Sequence, residues 1–504
     1  MRARISLREA LADPQLLGHA LAGDSFALWR TILIATMGEP LSEGERARFR
    51  EFTDRDPPDE PVREAAFIVG RRGGKDRTAS ALVAYLATCC EWPMLAKGET
   101  GRVIAIAPDQ SQARIQFGYV LGVLEGSPTL SKTIIHATTD TIELENRIVI
   151  EVRAANYRRL RGVTCVGVIA SESAFWYDDA SSNPDSEILR AVRPSLLTTG
   201  GVLLQISTPH AKRGELYQSF KRHYGKDSRV LVVKGASLDF NSTLDRAEIE
   251  RAYADDPAFA AAEYGGEFRD DIAAFVSREV LDACVDVGVA ERQPAAAFRY
   301  RAFVDPSGGS ADSFALAIGH WESDAVVIDC LREITAPFSP ESAVEELCLD
   351  LARYRVTSVS GDRYAGLWPT DQFQKRGISY EPSKLDASAL FRELLPRLNT
   401  RSIFLLDHKR SLGQLANLER RTGRAGRDTI DHPRGSHNDI ANVIAGVSQL
   451  LESEHTATGA IRVGYYPIDG GVITWTDPRH GRVSALSAAD GQNECIPTRN
   501  RNLG

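Results

Sequence analysis

The sequence has no apolar run approaching the ~18 residues that span a membrane. Its amino-terminal MRARISLREALADPQLL starts basic but is interrupted by Glu9 and Asp13, so no secretory leader is expected. Seven cysteines, an odd number without a CxxC pair, exclude a zinc ribbon and a disulfide framework and fit a reducing compartment. There is no repeat of fixed period and no long low-complexity tract. A general excess of basic charge is also missing: 60 Lys+Arg face 68 Asp+Glu, a net charge of −8. That excludes a protein coated in positive charge, but not one with a local basic surface. Residues 392–434 supply such a stretch, with ten Arg or Lys against five acids, and they leave −13 on the rest of the chain. What is present is ordinary for a globular protein: 504 residues, 43% hydrophobic and 25% charged, enough for two or three domains.

From Ala65 a series of short β-branched runs begins: AAFIVG, RVIAIAP at 102–108, VTCVGVIA at 163–170, GVLLQIS at 201–207 and RVLVVKG at 229–235. Helix-length segments separate them, which indicates a parallel sheet covered on both faces. TIELENRIVIEV at 141–152 reads as a hairpin turning at Glu145-Asn146. A second regime opens at Tyr300 with three quick strands (RAFVD, SFALAIGHW, AVVIDCL), a helix near 340–354 and the run VTSVSGD. The expected fold is therefore α/β: a parallel-sheet domain at 61–268, which the glycine turn described next makes a P-loop ATPase domain, then an α+β domain at 299–454 whose three acids make it ribonuclease-H-like. Residues 1–60 form a lead-in whose polar 39–64 is an exposed approach to the first strand. Residues 269–298 are the linker, and 455–504 are a tail of unknown role.

In FIVGRRGGKDRTASALVAYL a glycine turn stands between a buried strand and an amphipathic helix. Backbone N–H groups of such a turn wrap phosphate oxygens, the helix start adds its positive end, and a lysine reaches the terminal phosphates. Gly70, Arg71, Arg72, Gly73, Gly74, Lys75, Asp76 and Arg77 are the binding candidates for ATP. The pattern G-x-x-x-x-G-K-[ST] is met only in part. Val69 holds the first glycine position and Asp76 replaces the hydroxyl that would hold Mg²⁺. A second departure lies at the end of VGVIA, where Ser171 precedes Glu172 in place of an Asp-Glu pair. The two departures complement each other, one hydroxyl and one carboxylate changing places. Two readings stay open: a swapped Mg²⁺ shell of Asp76 and Ser171 with Glu172 polarising water, or a degenerate site that binds nucleotide without hydrolysis. Ser207 and Thr208, ending the next strand, could sense the γ-phosphate. Arg72 in the loop or Arg161 in YRRLRG could supply the arginine that stabilises phosphoryl transfer.

Three acids stand at related places in the second regime. Asp305 ends its first strand, Asp362 ends VTSVSGD, and Asp439 sits near the start of the last clear helix in SHNDIANVIAGV. In a ribonuclease-H-type sheet the first and fourth strands are neighbours, so the three carboxylates would converge as oxygen ligands for two Mg²⁺ or Mn²⁺ ions. Asp312 and His437 are second-rank members. The Ser-His-Asp order in GSHND does not make a serine hydrolase, because no G-x-S-x-G elbow exists.

Together, GRRGGKD, VGVIASESAFW, ISTP at 206–209 and the series Asp305, Asp362, Asp439 resemble the terminase large subunit, the motor that packages viral DNA into preformed capsids. The likeness covers roughly 60–450. It implies ATP-driven translocation of double-stranded DNA with endonucleolytic cuts at the start and end of packaging, in the host cytoplasm and without a membrane. It also implies docking on the portal of a procapsid and a small terminase subunit as partner. The subunits would form a ring (a pentamer) when docked and be monomers when free. By the same likeness Glu172 is the catalytic carboxylate of the ATPase and Arg161 a finger from a neighbouring subunit. Two alternatives remain: a helicase-nuclease of DNA repair, and a nucleotide-binding scaffold whose ATPase site is degenerate beside an active nuclease.

Overall fold

A computed structural model describes residues 1–155, 162–176, 184–310, 312–362, 368–422, 428–433, 436–458, 472–477 and 482–487. The chain divides into two units, Met1–Phe275 with Leu412–Ser436, and Val276–Ser411 with His437–Gly504. Among the described residues no helix is long and apolar enough to cross a membrane.

The first unit is built on an eight-stranded sheet. From edge to edge its strands are Val230–Gly235, Glu64–Val69, Val202–Ser207, Cys165–Ser171, Gly101–Ala107, Ile148–Ala154, Thr141–Leu144 and Ile134–Ala137. The first six run parallel; Thr141–Leu144 is antiparallel to Ile148–Ala154 through the hairpin expected at 141–152, and Ile134–Ala137 is antiparallel to Thr141–Leu144. Alternation along each strand feeds both faces. Phe67 and Val69 join one core with Trp29, Leu82 and Phe240, whereas Ala66 and Ile68 pack with Leu216 and Phe268 on the other. Because the six strands are parallel, their carboxyl ends gather on one edge. The register pairs Ile68 with Ser207 and Ser171 with Ile206. The loop at 70–74, Ser171-Glu172 and Ser207-Thr208 are therefore neighbours, where open α/β sheets place their ligands.

The amino-terminal residues, expected to be a lead-in, contribute to the first core. Leu7, Trp29, Ile32 and Leu33 are fully buried in the first core. Within 39–64 the chain forms the helix Glu43–Thr53, started by a capping box between Ser42 and Glu45. That helix buries only Phe49, Phe52 and Thr53, so its polar composition hides it.

The second unit holds a seven-stranded sheet ordered Val285–Asp286, Ile403–Leu406, Ala325–Ile334, Phe314–Glu322, Tyr300–Asp305, Ser358–Gly361 and Ser379–Pro382. Tyr300–Asp305, Phe314–Glu322 and Ala325–Ile334 make an antiparallel meander; Ser358–Gly361 then runs parallel to the first of them. This is the ribonuclease-H-like strand order. Helix Pro340–Arg353 covers one face through Val344, Leu347 and Leu351. Helix Asp439–Thr458 lies against the other so closely that a Cβ at Gly446 would meet the Phe303 ring at 2.3 Å.

The stretch expected to be a linker, 269–298, contains regular structure. Strand Ile272–Ala274 pairs with Glu419–Thr422, and that strand with Asp428–Asp431, all within the first unit. Val285–Asp286 instead pairs with Ile403–Leu406 in the second. The basic stretch 392–434 is likewise divided between the units, and much of its charge is paired. Arg397 meets Glu452, Arg410 meets Glu333, Arg420 meets Asp428 and Arg421 meets Glu419. Arg424, Arg427 and Arg434 lie outside the described residues.

Candidate functional site

Each unit carries one site. In the first, strand Glu64–Val69 delivers the chain into the glycine turn and helix Lys75–Thr88 takes it away. Gly74 adopts φ 88° and Arg72 φ 62°, left-handed values that bend the turn. Lys75 is buried at 4% exposure, and its Nζ donates to the carbonyls of Val69 (2.9 Å) and Gly70 (3.3 Å) and to Thr208 Oγ1 (3.0 Å). A buried ammonium held only by neutral oxygens is poised for an anion.

Glu172 follows its strand in a left-handed conformation, φ 51°. Its Oε2 accepts from Ser207 Oγ and from the Thr208 backbone N–H, both at 3.3 Å. Burial raises its pKa above the usual carboxylate range; the attraction of Lys75 opposes this and the charge of Asp76 adds to it. The Ser171 hydroxyl donates to Asp76 Oδ1 at 3.4 Å, so the two exchanged residues stand face to face. The buried Trp176 fixes Ser171 from behind, its Nε1 donating to the Ser171 carbonyl at 2.9 Å.

The arginines divide. Arg71 is tied to Glu263 and Arg77 to the Ala20 carbonyl and the Phe26 ring, whereas Arg72 is exposed on the turn. Arg161 lies outside the described residues. Three residues that no motif marks, Trp29, Ser237 and Asn241, bond the carbonyls of the turn.

In the second unit, the pairing of Val304 with Gly361 sets Asp305 and Asp362 at the same end of adjacent strands. Asp439 is the first residue of its helix. Asp305 Oδ2 accepts from Asn442 Nδ2 at 2.7 Å. Asn442 lies one turn beyond Asp439, a helical spacing readable in the sequence. Burial drives the Asp305 carboxyl up to about 7; the Asn442 bond opposes this, while the charges of Asp439, Asp362 and Asp312 reinforce it. Asp439 is driven to about 6, again by burial first, then by Asp312 and Glu333 against the pull of His437. Its Oδ2 is buried and accepts no hydrogen bond from any described residue. His437 Nδ1 stands 3.7 Å from Asp312 Oδ1.

The carboxylates feel one another but are not collapsed together. Among the described residues no three His, Cys, Asp or Glu side chains stand close enough to grip one ion as they are. Like charges at the end of one sheet repel, and burial with that repulsion raises the carboxyls of Asp305 and Asp439 above the usual range. The hard oxygen donors, the unpartnered Asp439 oxygen and the uncompensated charge fit a divalent ion in kind.

Residues 49–265 match the family described as the uncharacterized protein MJ0330, N-terminal P-loop domain. The first unit carries a P-loop domain. No curated protein matches the chain. Solved structures similar to it are phage large terminases. That of bacteriophage HK97 is 15% identical over 81% of this chain and 99% of its own, with a TM-score of 0.36. A large terminase from a thermophilic bacteriophage is 11% identical over 84% and 98%, also at 0.36. The large terminase nuclease of thermophilic phage G20c with bound magnesium is 17% identical over 34% and 94%, at 0.30.

Proposed function

We propose that this chain is the large subunit of a viral DNA-packaging terminase, in which ATP hydrolysis drives double-stranded DNA into a procapsid and a metal-dependent endonuclease cuts it. The observation that carries the reading is the conjunction in one chain. Glu172 and Lys75 meet at the carboxyl edge of a P-loop sheet, and three aspartates stand at the end of a ribonuclease-H-like sheet.

At the first site the turn and the start of helix Lys75–Thr88 bind the phosphates, with Lys75 on the terminal ones. Asp76 and Ser171 would hold the Mg²⁺ that neutralises phosphate charge, one carboxylate and one hydroxyl in exchanged places. Glu172, whose raised pKa makes it a better base, orients and deprotonates the attacking water. Ser207 and Thr208 touch Glu172 and Lys75 at once, so they register loss of the γ-phosphate. At the second site Asp305, Asp362 and Asp439 would hold two Mg²⁺ or Mn²⁺ ions, which activate water and stabilise a leaving 3′ oxygen. Asn442 aims the Asp305 carboxylate. The portal, the small subunit and a ring of copies belong to the same proposal.

The test is cleavage of plasmid DNA with Mn²⁺ by parent and variants. Asp305→Ala and Asp362→Ala should each lower cutting by about a hundredfold or more. Lys75→Ala should leave it largely intact while ATP hydrolysis by the assembled motor disappears. Undiminished cutting by both aspartate variants removes the nuclease assignment.

A further inference from the structure

The turn at 70–74 is held from outside by three side chains. Ser237 Oγ donates to the Arg71 carbonyl at 2.7 Å, Asn241 Nδ2 to that of Arg72 at 2.9 Å, and Trp29 Nε1 to that of Gly73 at 2.7 Å. In a trans peptide the carbonyl of one residue and the N–H of the next point in opposite directions. Fixing these three oxygens therefore turns the N–H groups of Arg72, Gly73 and Gly74 to the other side. Gly73 N–H closes a turn onto the Gly70 carbonyl at 3.2 Å, while the earlier Gly70 and Arg71 N–H groups donate to Gly235 and Glu263 carbonyls. The N–H groups left for phosphate are thus those of Arg72 and Gly74 and of the helix start. The missing first glycine, Val69, precedes them and costs the cradle nothing.

We infer that Trp29, Ser237 and Asn241 are positioning residues of the nucleotide site, holding the turn in its phosphate-binding shape before nucleotide arrives. Two of the three bonds flank Arg72, a non-glycine residue at φ 62°. Such a conformation is strained for a residue with a side chain and persists only where the surroundings impose it. The holders are themselves fixed. Trp29 is 0% exposed and lies 5.5 Å from the Phe67 ring and 4.5 Å from that of Phe240, and Ser237 is also 0% exposed. The inference rests on the nucleotide reading of this site, and it adds residues from two distant parts of the chain.

The experiment measures equilibrium binding of a methylanthraniloyl-labelled ADP, and steady-state ATP turnover, on the full chain. Ser237→Ala and Asn241→Ala should each weaken ADP binding about tenfold and raise KM for ATP by the same factor, with kcat at saturation held within about twofold. Trp29→Phe, which keeps an aromatic ring and removes the N–H, should do likewise. Should that core variant fail to fold, the partly exposed Asn241 carries the test. Variants that bind the analogue like the parent overturn the inference, and so does a fall in kcat with KM unchanged. A parent that binds no analogue overturns the nucleotide site itself, and the holding role with it.

Discussion

Asp305 and Asp439 tie the stability of the second unit to pH. Both carboxyls titrate higher in the folded chain, at about 7 and about 6, than the ordinary carboxylate value. An acid raised on folding adds stability that is complete below its unfolded value, near 4, and is lost as pH rises through the folded values. Without divalent ions, the melting temperature of this unit should therefore fall between about pH 4 and pH 7, and Asp305→Asn should flatten the fall. Mn²⁺ should raise the melting temperature most above pH 7, where no proton competes for the oxygens. A metal-free melting temperature constant from pH 4 to 7 would contradict the assignment. At this scale the sequence is legible where chemistry coincides with an element's end: Lys75 after a strand and turn, Asp305 ending a strand, Asp439 beginning a helix. Trp29, Ser237 and Asn241 are not legible, because each acts through one bond across 44, 166 and 169 residues respectively. No local pattern encodes such a meeting.

At the scale of elements, the start of helix Lys75–Thr88 and the end of strand Cys165–Ser171 bring Asp76 and Ser171 together, the pair proposed to have exchanged ligand types. The 3.4 Å contact between Ser171 and Asp76 supports a swapped pair over two unrelated losses. On the proposed function, Asp76→Thr should lower ATP hydrolysis by about tenfold or more, because it removes the only carboxylate of the pair. Asp76→Thr combined with Ser171→Asp should recover most of it. A single variant as active as the parent would end the swap idea. The strands at the centre of both sheets are readable from apolar runs because their burial is nearly continuous. Helix Glu43–Thr53 is not, since its stability comes from the Ser42–Glu45 capping box and from two phenylalanines among charges.

At the scale of the whole molecule, the order of strands follows from the alternation of runs and helices, but the division into units does not. Residues 412–436 follow the second half in sequence, whereas they pack in the first. Besides the pairing of Ile272–Ala274 with Glu419–Thr422, a buried carboxylate holds them there. Glu419 is 0% exposed and accepts from His210 at 3.1 Å and Arg213 at 2.8 Å. Burial pushes its carboxyl up, yet His210, Arg213 and Arg421 outweigh burial and hold it below the usual range. Glu419→Ala should leave Arg213 and Arg421 around a vacated site and destabilise the first unit by about 3–5 kcal/mol. Calorimetry would show this as a lower first-unit transition; one unmoved within a degree would refute the account.

That interleaving also sets an order of manufacture. When Phe275 leaves the ribosome, the edge of strand Ile272–Ala274 has no partner, and His210 and Arg213 have no Glu419. The whole body of the second unit must be translated before residues 412–436 emerge to meet them. At about 5–20 residues per second the wait is roughly 7 to 30 s. Throughout that interval a nascent chain carries an open strand edge beside its phosphate-binding domain, the period in which synthesis of this protein is most exposed to misassembly.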